Sequence, residues 1–169
     1  MVLRELRADD LAGIAAVDGG PAWKRDPALW AGYVADQSAE RRVVLIAEEQ
    51  RSVLAYGTLL WESRYASFRT AGVVDINNLV VAQHARRRGI ATAMIGTFEQ
   101  HARQRGCKII GLGVGLYADY GPAQRLYVKL GYRPDGKGIT YADEPVPVGQ
   151  TVRLDDRLVL WFMKPLCAA

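Results

Sequence analysis

Arg86-Arg87-Arg88-Gly89-Ile90-Ala91 decides how this 169-residue chain is read. The stretch follows an apolar run, Leu79-Val80-Val81, and opens a segment of helical spacing that continues through residue 105. A strand that passes through a short glycine-containing turn into a helix leaves the first amide N–H groups of that helix without acceptors. Those donors, with the positive end of the helix dipole, form a seat for a phosphate or pyrophosphate. Three arginines add charge where the anion would arrive. Gly89 lets the backbone approach it closely, and Ala91 keeps the first helical turn uncrowded. The competing reading is a basic turn that does no more than face solvent.

Other phosphate motifs do not account for the chain. A P-loop needs Gly, four spacers and Gly-Lys-Ser/Thr, which the sequence does not contain. Gly113-Val114-Gly115-Leu116-Tyr117-Ala118 imitates a dinucleotide fingerprint after the apolar residues 109–112, with Asp135 near the offset of a ribose partner. Tyr120-Gly121-Pro122 interrupts the helix that such a fingerprint should open. Too little chain follows for repeated parallel crossovers.

A second landmark, Ala123-x-x-Leu126-Tyr127-x-x-x-Gly131-Tyr132, lies downstream of the arginine turn. Arg86, Gly89 and Ala91 fill the fixed places of the pattern Gln/Arg-x-x-Gly-x-Gly/Ala. The two landmarks, in this order, resemble the GNAT superfamily of acyl-CoA-dependent N-acyltransferases over roughly residues 43–134. One departure is Tyr120, which stands where the family often has Asn. The resemblance implies a single N-acetyltransferase domain over residues 1–169 with acetyl-CoA as co-substrate. It also implies a central, mostly antiparallel mixed sheet whose two central parallel strands, residues 73–81 and 108–116, splay apart.

The rest of the chain fits an α/β domain of mixed type with helices on both faces of a sheet. Residues 2–7 alternate as a half-buried strand, and Asp9 or Asp10 is placed to cap a helix over 11–17 that Gly19-Gly20-Pro21 ends. Asp26-Pro27 starts a second helix with Leu29, Trp30, Tyr33 and Val34 on one stripe. Residues 43–48 and 52–62 read as strands joined at Gln50-Arg51, with Gly57 marking a bulge or a close approach. Gly72 precedes the strand over 73–81. In the helix over 90–105, Met94, Phe98 and Ala102 repeat at four-residue spacing, and Gly106 suits its C-cap. A short helix over 122–130 and a terminal strand over 158–166 follow. Residues 134–156, with three Gly and three Pro, read as a surface excursion or a hairpin.

Composition narrows the classes. Half the residues are apolar, a quarter are charged, and the net charge is +4, as in an ordinary soluble chain with a basic rim for a polyanionic cofactor. There is no RNP-like or zinc-finger pattern to point to nucleic acid. Two cysteines, Cys107 and Cys167, and two histidines, His84 and His101, show no metal-ligand spacing. The cysteine pair suits a reducing cytoplasm. Cys107 reads as a small buried residue before an apolar strand, or as a thiol nucleophile without a visible base. No segment reaches transmembrane length, and the N-terminus carries early charges where a signal peptide would be apolar.

Acyl transfer to an amine needs a neutral amine, a stabilised oxyanion and a proton for the departing thiolate. In the resemblance, Tyr127 is that acid; otherwise it is a core tyrosine whose hydroxyl satisfies a backbone group. Asp75, an acid amid Val74, Ile76 and Leu79, is the candidate base or a structural ion-pair partner, with Glu62 its competitor. Asn77 and Asn78 are polar groups in the same apolar strand, available to substrate or to neighbouring loops. The family places a backbone donor for the oxyanion where the strand bulges, around Val80-Val81; ordinary ladder pairing is the alternative. Cofactor contacts are expected from Leu79, Val80, Val81, Arg86, Arg87, Arg88, Gly89, Ile90, Ala91, Thr92, Tyr120 and Ala123. Trp23, Trp30, Tyr33, Trp61 and Tyr141 line an acceptor pocket or pack the core. The acceptor is expected to be a small-molecule amine, with a protein N-terminus or lysine as the alternative. A catalytically silent acyl-CoA sensor is the competing class. Superfamily precedent adds a possible homodimer through the terminal strand.

Overall fold

The computed structural model describes residues 1–18 and 26–166, and among these the chain forms eight strands and five α-helices. The expected helix stop at Gly19-Gly20-Pro21, Trp23 and Cys167 lie outside the described residues. Two compact units emerge: Met1–Trp61 with Ile76–Gln100, and Glu62–Asp75 with the chain from His101 onward.

In the first unit, β1 (Val2–Glu5), β2 (Arg42–Glu49), β3 (Ser52–Leu60) and β4 (Val74–Val81, from Ile76) lie in that order. β1 and β3 both run antiparallel to β2. The β2–β3 hairpin closes at Gln50 and Arg51, whose φ values of 50° and 65° are those of the turn that matches strand twist. Gly57 is not a bulge, since its register with Leu45 is regular and the shift falls at Ala47/Glu48. Its lack of a Cβ instead admits Leu79 and Phe98, whose side-chain atoms lie 3.0 and 3.3 Å from where one would be. α1 (Leu11–Ala15) packs on β3, and α2 (Pro27–Ser38) packs on β2. Asp26 caps α2 by accepting the Ala28 N–H at 2.9 Å. α4 (Ile90–Gln104) buries Ile90, Met94, Ile95 and Phe98, the stripe its four-residue spacing predicts.

Asp10 does not cap α1. A 3₁₀ turn over Ala8–Asp10 precedes that helix, and the carboxylate turns back to accept from the Arg4 guanidinium at 2.7 and 2.8 Å and from the Arg7 N–H at 2.7 Å. A forked, charge-assisted contact outcompetes a single capping bond.

The second unit orders its strands β5 (Ile109–Gly115), β8 (Leu158–Pro165), β6 (Arg133–Tyr141) and β7 (Glu144–Pro145), antiparallel at each of these steps. Of the two readings of 134–156, the hairpin is present, since β6 pairs antiparallel with β7; β6 also pairs with β8, its register shifting between Pro134 and Ile139. Gly136 and Gly138, with φ of 78° and 83°, supply the backbone for that interruption. α3 (Ala66–Ala71), which the sequence reading leaves unassigned, ends at Gly72 with φ 65°. α5 (Gly121–Lys129) completes the unit. Its core stacks Tyr65 on Trp161 at 4.5 Å and 9°, with Phe68 edge-on to Trp161 at 5.1 Å and 68°. The Trp161 indole donates to the Thr140 hydroxyl at 2.8 Å.

The Arg4 guanidinium beside Asp10 holds its carboxyl below the usual carboxylate range, against the opposing effect of burial. A depressed folded-state pKa gives stability that is present above the unfolded value and lost as pH falls through the folded one. Asp10→Ala is therefore expected to lose about 1.5–3 kcal/mol at pH 7. Urea titrations at pH 7 and pH 3 should show the gap between variant and parent shrinking at the lower pH.

Candidate active site

The arginine turn joins β4 to α4 through a 3₁₀ turn over Gln83–Ala85. Arg87 and Gly89 both adopt left-handed backbone, with φ of 65° and 80°. Alternation of hand along a turn gathers successive N–H groups into a concave nest suited to an anion. The Ala93 N–H closes the first helical bond on the Gly89 carbonyl at 3.0 Å. Ile90, Ala91 and Thr92 thus contribute N–H groups that have no acceptor within the helix.

The three arginines differ in their engagement. All are exposed. Arg88 donates to both oxygens of Glu49 at 2.9 Å, and this guanidinium holds the Glu49 carboxyl below its usual range. The Arg86 Nε reaches back to the Val81 carbonyl at 3.3 Å, at the end of β4. The Gln83 N–H donates to Asp18 at 2.7 Å, fixing the start of the turn. Nest, helix head and arginine rim together form a donor set that fits a pyrophosphate.

β4 approaches this turn with an irregularity. Asn78 has φ 51°, a left-handed residue inside the strand. The break lies two residues before Val80, where the family pattern led us to expect a bulge. Leu79 and Val81 are half-buried and Val80 is buried. Asn77 accepts from the Thr58 hydroxyl at 2.6 Å, and the Asn78 side-chain amide donates to the Tyr33 hydroxyl.

The second unit carries the proton-transfer candidates. Tyr127 is buried on α5, and burial alone pushes its phenol up to about 12. Asp75 is buried and accepts from the Ser63 hydroxyl at 2.8 Å; the same oxygen of Ser63 accepts the Tyr65 N–H at 3.2 Å. Glu62, one residue before Ser63, is exposed. Ser63 has no sequence signal that would have marked it, being a single serine between Glu62 and Arg64.

Tyr120 answers the departure in the second landmark. Its ring lies on Gly115, where a Cβ would come within 2.4 Å of two ring carbons. Its hydroxyl donates to Asp156 at 2.8 Å, and the Tyr117 hydroxyl donates to the same oxygen. Burial and this shared carboxylate push both phenols upward, Tyr117 to about 12. Asp156 escapes notice in the sequence because it lies in the Gly- and Pro-rich stretch, far from the motif it serves. Gly113 and Gly115 are strand residues whose missing side chains admit Trp161, Val159 and Tyr120, which disposes of the dinucleotide reading. Ala123 is half-buried on the first turn of α5. Beside α5, a groove of about 500 Å³ is lined by Leu116, Gln124, Arg125, Lys129, Leu160 and Phe162, among others, and carries no acid.

Of the residues expected to form an acceptor pocket, Trp30 and Tyr33 are buried and Trp61 is half-buried. Tyr141 donates to Asp155 at 3.1 Å, with the Arg157 guanidinium 4.6 Å above its ring. Burial pushes the Cys107 thiol up, away from nucleophilic character. Among the described residues there is no cluster suited to a metal, and no helix is long and apolar enough to cross a membrane.

The turn that offers donors to an anion thus joins α4 to a strand, β4, that a left-handed asparagine breaks. Residues 8–132 match the profile of the acetyltransferase (GNAT) family, and the chain belongs to that family. A ribosomal-protein-alanine N-acetyltransferase from Brucella melitensis superposes with a TM-score of 0.72 at 20% identity, over 98% of this chain and 100% of that one. An acetyltransferase-type protein from Salmonella typhimurium, solved with acetyl-CoA, gives 0.70 at 18%, over 99% and 94%. An aminoglycoside 6'-N-acetyltransferase complexed with coenzyme A gives 0.66 at 14%, over 99% and 98%. These likenesses show the fold. No match was found among curated proteins.

Gly115→Ala is expected to displace the Tyr120 ring from its place on the strand and to destabilise by about 1–3 kcal/mol. Urea unfolding of the variant, alone and combined with Tyr120→Ala, checks this. The second substitution should remove the extra loss caused by the new methyl group.

Proposed function

We propose that the chain is an N-acetyltransferase that moves an acetyl group from acetyl-CoA to a primary amine, by direct attack in a ternary complex. The observation that carries the reading is the left-handed turn at Arg87 and Gly89, ahead of helical N–H groups at Ile90, Ala91 and Thr92, in a member of the acetyltransferase family. The family profile draws on residues of both units, which supports a single acetyltransferase domain. Acetyl-CoA supplies an activated thioester; the chain contributes grip, orientation and proton movement.

In this reading the amides of residues 87–92 and the side chains of Arg86, Arg87 and Arg88 hold the pyrophosphate. Leu79, Val80 and Val81 present backbone groups to the pantetheine arm and to the thioester carbonyl. Tyr120 and Ala123 border the cofactor; because Asp156 takes the Tyr120 hydroxyl, its ring is what remains to contact a ligand. Tyr127 keeps its proton throughout the physiological range, and gives it to the departing sulfur. Dry surroundings that raise a phenol also raise a thiol, so burial of both leaves the difference between donor and acceptor close to its value in water. Asp75 takes the proton from the amine and Ser63 orients its carboxylate; the exposed Glu62 is the competing base.

A small-molecule amine is the acceptor in our reading. The aminoglycoside enzyme among the structural neighbours has such a substrate by name, whereas the Brucella enzyme is named for a protein alanine. A cytoplasmic setting accords with a co-substrate of central metabolism.

Calorimetry with acetyl-CoA and with CoA, followed by thioester cleavage across a panel of amines, tests the function. Binding of both and turnover with at least one amine are expected; no affinity for either would overturn the proposal. Tyr127→Phe should lower kcat by about 10²-fold or more with acetyl-CoA affinity unchanged. Full activity in that variant would remove Tyr127 from the acid role.

A further inference from the structure

The first unit contains a buried polar network that the reaction as described does not use. At its centre is Arg42, with only 3% of its side chain exposed. Its Nε donates to Asp36 on α2 at 3.1 Å, and its Nη1 donates to the Thr58 hydroxyl on β3 at 3.4 Å. The Thr58 hydroxyl donates in turn to the Asn77 side-chain oxygen on β4. The guanidinium carbon of Arg42 also lies 3.8 Å from the centre of the Tyr33 ring, and the Tyr33 hydroxyl accepts from the side chain of Asn78. Trp30 packs on Tyr33, edge to face at 5.1 Å, and meets Tyr56 at 4.7 Å.

Two consecutive residues of one strand therefore lead to the same guanidinium. In a regular strand, successive side chains point to opposite faces and would not converge in this way. The left-handed backbone of Asn78 removes that alternation. Neither feature is a natural device for stability. Taking a guanidinium out of water is costly even when it is paired, and strained backbone persists only where its surroundings over-determine it. Here the surroundings are identified: α2 grips Asn78 through Tyr33, and β2 and β3 grip Asn77 through Arg42 and Thr58. Beyond the grip, Leu79, Val80 and Val81 lead into the arginine turn.

We infer that Tyr33, Arg42 and Asn78 are positioning residues that clamp the break in β4 and so aim the backbone of Leu79–Val81 at the thioester carbonyl. The inference rests on acetyl-CoA as donor. It assigns a catalytic purpose to three residues that touch neither the phosphates nor, in this account, the acceptor. Arg42 acts through the face of Tyr33 and through Thr58, and Tyr33 acts through Asn78.

The test compares acetyl-CoA with CoA, because only the acetylated form carries the carbonyl that the clamp serves. Tyr33→Phe removes one hydroxyl and keeps the ring under Arg42. Asn78→Ala removes the amide and disfavours the left-handed backbone, whereas Asn78→Gly removes the amide and tolerates that backbone. Calorimetry should show Tyr33→Phe and Asn78→Ala weakening acetyl-CoA about 5-fold, with CoA unchanged. Asn78→Gly should lose less than Asn78→Ala. Infrared spectra of bound acetyl-CoA labelled with carbon-13 at the carbonyl should show the band returning toward its free position in the two weakened variants.

An unchanged affinity ratio and an unchanged band in both Tyr33→Phe and Asn78→Ala would overturn the clamp. So would an equal loss of both ligands, the mark of a purely structural role. Failure of the parent protein to bind either ligand is a different result, and sinks the proposed function itself.

Discussion

Three N–H groups at the head of α4 constrain much of the first unit. Helix geometry leaves them without carbonyl partners in the helix, and the residues before them form a left-handed turn. Gly89 is left-handed with open space where a Cβ would stand, and Arg87 shares its hand despite having one. An arginine in this conformation is uncommon, and the turn is held from outside by Asp18 on the Gln83 N–H and by Glu49 on Arg88. The exposed Arg88–Glu49 ion pair adds little stability by itself. Together with the Asp18 hydrogen bond it orients the turn.

Much of this was legible in the chain because each level of the signal agreed. The apolar run, the glycine and the four-residue spacing of Met94 and Phe98 all pointed to strand, turn and helix. The elements that escaped were those where local and distant signals conflict. α3 is six residues long and carries no apolar stripe beyond Phe68, so its formation depends on the contacts of that ring with Tyr65 and Trp161. β6 contains Pro134, Gly136 and Gly138, each a strand breaker locally, and is held by pairing with β8. Asp10 looked like a helix cap because residues six positions away do not enter a capping rule; Arg4 outbid the helix for it. At the candidate site, motif residues were legible and their supports were not. Nothing in the sequence links Ser63 to Asp75, Asp156 to Tyr120, or Tyr33 to Asn78, since those pairs meet only through the fold.

β4 and its neighbours hold much of the polar burial. Asp75 and Thr58 are buried, Asn77 is half-buried, and each has a hydroxyl or amide partner within its own unit. A strand meant only to fill a core would carry branched apolar residues at these places. Buried polar networks are demanding, because a partly satisfied one is worse than none. That demand makes the strand a poor place for neutral substitution and a well-defined frame for the chemistry assigned to it. The apolar neighbours Val74, Ile76 and Val80 supply the packing that keeps the polar groups in place.

The glycines of β5 have a consequence for how this sequence is able to change. Gly111, Gly113 and Gly115 share one face of the strand, and each lies beneath a ring: Phe68, Trp161 and Tyr120. The rings rest on bare main chain, so strand and aromatic cover must be inherited as matched partners. A methyl group gained below would require a smaller residue above, in the same lineage and almost at the same time. A methyl group gained on the strand alone would collide with the ring, and homologues that retain the large ring should be found to retain the glycine.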